Sequence, residues 1–217
     1  MREYSQNEAI AFLSDSKNLP GRAAVEIIYT HGAVVFLSGR HAYKIKRKVH
    51  YDYLDFSTLE KRHQMLLREL ELNAPTAPSI YLDVISLTRD TVGRLHLGGK
   101  GEVVEWVLRM HRFDAVDELN KVAARGALDD RLAEALGEVI ARYHTGAKIR
   151  KDVSGTSLIG AILDELNTAF AAMAGDLDGD KTDRFHTTSD HAYHRVSVTL
   201  NARAGAGHIR RCHGDLH

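Results

Sequence analysis

The chain has 217 residues, 44% of them hydrophobic and 27% charged, enough for one large domain or two small lobes with real cores. Lys plus Arg and Asp plus Glu number 29 each, so the net charge is zero; this argues against a general nucleic-acid binder, which needs a basic surplus to neutralise phosphates. The single cysteine, Cys212, excludes an intrachain disulfide, and the absence of an apolar signal core or a long apolar run argues against secretion and membrane spanning and for a cytoplasmic protein.

Asn7 to Leu13 has the pattern of a short amphipathic helix, closed by polar residues 14–18 and Pro20-Gly21. Three strands are expected next: Val25–Tyr29, Ala33–Leu37 and Ala42–Lys46, with Ser38-Gly39-Arg40 as the hairpin turn between the last two. From Ser57 to Asn73 the apolar residues recur at helical spacing, with Ser57 as N-cap and Glu60 three residues on as its capping-box partner. Ala74-Pro75 ends this helix. Ser79–Thr88 and Leu95–Arg109 read as strands joined by a turn over 90–93. After Phe113 the pattern becomes helical, with candidates at 119–125, 129–144, 157–173 and about 189–203. The expected class is α+β, with a β-rich part over residues 1–112 and a helical part over 113–217.

Two features in this order carry chemistry. Lys44 lies on the third strand with Ala42 two residues before it, so both side chains face one side. This reproduces the A-x-K spacing by which kinases place a phosphate-binding lysine, the small Ala leaving room for adenine. Lys46 shares that face and competes for the role. On the following helix, Leu66 and Leu70 place Glu69 at the edge of the apolar stripe, where it can reach inward to a lysine. Glu71 is rotated about 200° away at 3.6 residues per turn. The second feature is His213-Gly214-Asp215-Leu216-His217, a His-x-Asp segment of the kind that presents an aspartate to the hydroxyl receiving a phosphoryl group.

Other signals read as ordinary structure. Residues 93–101 (GRLHLGGKG) imitate a P-loop but lack the Ser or Thr after Lys100 and are expected to form a hairpin. Asp176, Asp178 and Asp180 resemble the start of an EF-hand, but Lys181 occupies the required Gly position, so a loop is expected. His186, His191 and His194 with Asp190 fit no zinc signature, although 13 histidines keep a metal protein as a third reading. No metal ligands are assigned within the chain.

With Tyr43-Lys44-Ile45-Lys46, Leu54-Asp55-Phe56-Ser57-Thr58-Leu59-Glu60, Glu69-Leu70-Glu71-Leu72-Asn73, residues 104–110 (VEWVLRM) and the terminal HGDLH, the chain resembles the aminoglycoside-phosphotransferase-like kinases. Within them it is most similar to the bacterial group in which that domain is joined to a C-terminal P-loop ATPase. The resemblance covers roughly residues 20 to 217, with HGDLH and LDFS its most specific parts. It implies a protein-kinase-like two-lobed fold: an antiparallel N-lobe with one helix over a helical C-lobe, incomplete in this sequence. It implies ATP and Mg²⁺ as cofactors and a small-molecule hydroxyl as phosphoryl acceptor. Asp215 would orient or deprotonate the acceptor, His213 would brace the catalytic loop, Lys44 and Ala42 would bind the nucleotide, and Glu69 would hold Lys44. The metal-holding Asn of such kinases belongs at about position 220. The expectation is therefore that these 217 residues alone bind nucleotide weakly or not at all and turn over negligibly. The alternative is a non-catalytic nucleotide-binding or regulatory module that kept the fold.

Overall fold

The computed structural model describes residues 6–51 and 53–212, and its architecture is α+β. Two compact units are present, one ending at Asp129 and the other beginning at Asp130. The division falls later than the expected boundary at 112. The chain leaving the sheet runs first through a 3-10 turn at Ala115–Asp117, capped by Asp114, and then through a short helix, Leu119–Ala124, that buries Val122.

In the first unit, α1 (Gln6–Ser14) precedes the strands β1 (Val25–Tyr29), β2 (Ala33–Ser38), β3 (His41–Lys46), β4 (His50–Tyr51) and β5 (Leu54–Asp55). Then follow α2 (Leu59–Asn73), β6 (Tyr81–Arg89), β7 (Leu95–Leu97), β8 (Glu102–His111) and α3 (Leu119–Ala124). Six strands form one antiparallel sheet in the order β1-β2-β3-β8-β6-β7, and β4 and β5 make a separate small hairpin. The expected single strand from Leu95 to Arg109 is two strands, because Gly98 and Gly101 turn the chain with positive φ. A Cβ at Gly101 would lie 2.1 Å from the Arg89 carbonyl oxygen, so that turn is tied to glycine.

The two faces of the sheet are used differently. Tyr43 and Ile45 of β3 join Val34, Phe36, Leu87 and Val107 in a buried core that α1 closes with Ala9 and Leu13. Burying a leucine of this kind contributes about 1.5–3 kcal/mol. Lys44 and Lys46 alternate with those core residues and so point to the opposite face, where α2 packs on β3, β6 and β8.

The start of α2 is set by its preceding hairpin. The N-cap is Thr58, whose hydroxyl accepts from the Lys61 N–H, rather than the expected Ser57. Ser57 instead donates its backbone N–H and hydroxyl to the Asp55 carboxylate, at 3.0 and 2.6 Å, and Lys61 also binds that carboxylate. These donors, the Lys61 ammonium first, hold the Asp55 carboxyl well below the usual range. The LDFS segment is thus a bracket that fixes where α2 begins.

In the second unit, α4 (Asp130–Gly146), α5 (Gly155–Ala172) and α6 (Gly179–Gly205) follow. Helix α6 begins well before the expected residue 189 because Asp178 caps it by accepting from the Lys181 N–H. The aspartate-rich stretch is a helix start, not the loop expected from its EF-hand likeness. Close packing of α5 on α6 depends on Gly155, where a Cβ would meet the Leu200 carbonyl oxygen at 2.3 Å. The Tyr193 hydroxyl donates to the Thr156 carbonyl at 3.0 Å across the same contact.

Candidate functional site

The residues of the candidate site come from the strand and helix that the sequence singled out. Lys44 Nζ lies 2.6 Å from Glu69 Oε1, and Lys46 Nζ lies 2.7 Å from Glu69 Oε2. A single carboxylate therefore joins α2 to two lysines of β3. The three side chains are 23%, 13% and 12% exposed for Lys44, Lys46 and Glu69, so the cluster is shielded but reachable, with Lys44 outermost. With two ammonium groups against one carboxylate, it carries one positive charge in excess.

Its electrostatics follow from burial and pairing. Burial works against the charge of Glu69, but the Lys44 and Lys46 ammonium groups outweigh it and hold the carboxyl below its ordinary value. For Lys46, burial lowers the ammonium and the neighbouring Lys44 adds to that, while Glu69 opposes it. Tyr81 lies close enough for Glu69 to reinforce the upward push that burial gives its hydroxyl. Lys46 has a further anchor: its Nζ lies 5.4 Å from the centre of the Phe56 ring, a cation–π contact.

Ala42 sits on the same face as Lys44, is 6% exposed, and pairs with Met110 near the end of β8. The expected small residue thus lies beside the strand end that leads out of the sheet. The other glutamates of α2 are engaged elsewhere. Glu60 accepts from Gln64, and Glu71 pairs with Arg68.

A second charged group was not apparent in the sequence. Arg62 of α2 and Glu105 of β8 form a buried ion pair, with Arg62 Nε 3.1 and 3.0 Å from the two carboxylate oxygens. Glu105 also accepts from Gln6 Nε2 at 2.8 Å and from the Trp106 N–H at 3.0 Å. Arg62 Nη1 donates to the Phe56 carbonyl at 3.1 Å. Gln6 extends the network to β3 by donating to the Lys46 carbonyl at 2.7 Å. Next along α2, the His63 ring stacks on Trp106 with centroids 3.6 Å apart. Together these contacts fix the rotation and height of α2, and with them the position of Glu69. The only advance signal was a glutamate in an otherwise apolar strand stretch.

Asp215 and His213, the expected catalytic residues, lie outside the described residues. The segment leading to them is held in place. The Arg150 N–H donates to the Ile209 carbonyl and the Arg211 N–H to the Lys148 carbonyl, at 2.9 and 2.8 Å. Arg210 Nη1 donates to the Thr145 and Ala147 carbonyls at the end of α4. No group of three His, Cys, Asp or Glu side chains capable of holding a metal ion occurs among the described residues. His194 lies 3.4 Å from Asp190 on the exposed side of α6, and His186 and His191 do not join them in a cluster. No helix among the described residues is long and apolar enough to cross a membrane.

Comparison with known proteins finds relatives in mycobacteria. Uncharacterized proteins of Mycobacterium bovis and of two Mycobacterium tuberculosis strains are each 28% identical to the chain over 196 residues. The match takes in 88% of this chain and 38% of each relative, so the chain spans well under half the length of the curated relatives it matches. No family model and no solved structure matches the chain.

Proposed function

We propose that the chain is the nucleotide-binding part of an ATP-dependent phosphotransferase with a protein-kinase-like two-lobed fold. It belongs, on this reading, with the aminoglycoside-phosphotransferase-like kinases, works in the cytoplasm and transfers the γ-phosphoryl group to a hydroxyl of a small molecule. The observation that carries the reading is the contact of Lys44 on β3 with Glu69 on α2. Such a strand-lysine to helix-glutamate pair positions a cation for nucleotide phosphates in kinases.

The excess positive charge of the Lys44–Glu69–Lys46 cluster suits an oligophosphate, and partial burial strengthens its attraction for one. On the same face the short side chain of Ala42 would leave room for a flat base. In such reactions the protein contributes mainly positioning and charge neutralisation. Lys44 would hold the α- and β-phosphates, and Glu69 would keep Lys44 extended toward them. Asp215 would orient the acceptor hydroxyl and take its proton, with His213 bracing it. The described residues include no set that fits Mg²⁺.

ATP should raise the thermal unfolding temperature of the wild-type chain, since a ligand bound to the folded state alone stabilises it by about 2.7 kcal/mol at a hundredfold excess over Kd. No ATP-dependent shift would refute the nucleotide-binding reading. Phosphoryl transfer is tested separately: in a form of the protein that transfers phosphate, Asp215→Asn should abolish transfer and leave the ATP-dependent shift in place. The alternative is a non-catalytic nucleotide-binding or regulatory module. It predicts the ATP-dependent thermal shift without phosphoryl transfer.

A further inference from the structure

The turn between β1 and β2 is Thr30-His31-Gly32, and a single residue holds all of its carbonyls. Arg47 Nη1 donates to the Thr30 and His31 carbonyls at 2.9 and 3.2 Å, and the Arg47 backbone N–H donates to the Gly32 carbonyl at 2.9 Å. We propose that Arg47 is a positioning residue that shapes this turn into a phosphate-binding site, with the backbone N–H groups of His31 and Gly32 as the donors. That the phosphate belongs to a nucleotide rests on the phosphotransferase reading; that the turn takes a phosphate stands on its own geometry.

No peptide bond among the described residues is cis, so each N–H points away from the carbonyl of its own peptide group. The Thr30 carbonyl shares a peptide group with the His31 N–H, and the His31 carbonyl with the Gly32 N–H. Both carbonyls turn to one nitrogen of Arg47, so both N–H groups point away from it. Neither donates to a protein group among the described residues. The next N–H, that of Ala33, is already closed by Thr30 Oγ1 at 2.9 Å. Successive backbone N–H groups left open in this way form a concavity suited to an oxyanion. Gly32 is also buried, packed against Leu54 and Phe56, and a buried N–H without an acceptor is rare in a folded protein.

The open donors lie on the side of the lysine cluster. Arg47 follows Lys46 by one residue and so turns to the opposite face of the sheet, where it lines a cleft with Ile10 and Ala11 of α1. The N–H groups point the other way. On that side Phe56, against which Gly32 packs, lies under Lys46 Nζ, and Lys46 shares Glu69 with Lys44. The register agrees, since Ala33, next to the turn, pairs with Lys46. A phosphate seated on the turn would meet the excess positive charge of the cluster while the Lys44–Glu69 contact stays intact.

The experiment titrates tripolyphosphate and ATP, at constant ionic strength, into wild type, Arg47→Met and Arg47→Lys in the whole 217-residue chain. The amide resonances of His31 and Gly32 are followed by NMR, and unfolding temperatures report folding. In wild type both ligands should move the two amide protons downfield. Arg47→Met should stay folded, leave those amides unmoved and bind tripolyphosphate at least about tenfold more weakly. Arg47→Lys keeps the charge but not the fixed guanidinium donors, and should behave like Arg47→Met. The proposal is overturned if neither ligand moves the wild-type amides, if Arg47→Met responds as wild type does, or if Arg47→Lys binds as tightly as wild type, since charge alone would then suffice. ATP binding that leaves the two amides unmoved would sink the turn and spare the nucleotide reading. A response to tripolyphosphate with no binding of ATP would do the reverse.

Discussion

Removing Arg62 should be among the most damaging single changes in the first unit. Arg62 is 5% exposed and Glu105 is 1% exposed, so neither charge is solvated by bulk water. In Arg62→Leu, the Glu105 carboxylate keeps the Gln6 amide and the Trp106 N–H but loses its cationic partner, and the Phe56 carbonyl loses a donor. Breaking a buried ion pair from one side costs about 3–5 kcal/mol. With a urea m-value of about 2 kcal/mol/M, the unfolding midpoint should fall by roughly 1.5–2.5 M. Trp106 is the chain's only tryptophan and adjoins Glu105, so its fluorescence reports unfolding of this unit separately from the helical one. The double variant Arg62→Leu/Glu105→Gln should recover part of the loss, because the buried charge is gone while an amide oxygen still accepts from Trp106. A single-variant loss below about 1 kcal/mol, or a double variant as unstable as the sum of the singles, would refute the assignment of a buried, mutually compensated pair.

Further outcomes follow from the same geometry. Glu69 has a folded-state pKa below its unfolded value, so in acid the unfolded chain binds the extra proton and stability falls as pH drops below the ordinary value of 4.5. Glu69→Gln should flatten that acid limb of the stability profile, and an unchanged profile would count against the ion cluster. Lys46 is lowered, so between its folded value and 10.5 the wild type should gain stability with rising pH relative to Lys46→Met, as alkaline unfolding curves would show. Gly155→Ala should force α5 away from α6 and cost about 1–3 kcal/mol, read as earlier loss of exchange protection in those two helices; a neutral effect would contradict their close approach.

Much of the candidate site could be read from local patterns. Strand alternation placed Ala42 and Lys44 on one face, and the apolar stripe of α2 placed Glu69 at its edge, facing β3. Other parts depended on contacts distant in sequence. Arg62 and Glu105 are 43 residues apart, and no periodicity links them. Lys46 was a rival to Lys44 in the sequence, whereas the structure gives each lysine its own oxygen of Glu69. The N-cap moved from Ser57 to Thr58 because Ser57 is taken by Asp55, a local competition that cap preferences do not resolve. Helix α6 has no buried residue, so apolar periodicity marked only its later part, while its true start lay in the capping role of Asp178. Position 112 marked where strand character ends, but the burial of Val122 keeps the next helix with the sheet unit.

The central claim, that Lys44 and Glu69 form a site for nucleotide phosphates, is tested most directly by calorimetric titration of ATP into the wild-type chain and into Lys44→Ala. Because Lys46 still holds Glu69, Lys44→Ala should remain folded, with a stability loss of no more than about 1 kcal/mol. The wild type should bind one ATP, and Lys44→Ala should bind it at least about tenfold more weakly, a difference of about 1.4 kcal/mol. Equal binding by the two proteins, or none by the wild type, would contradict the account.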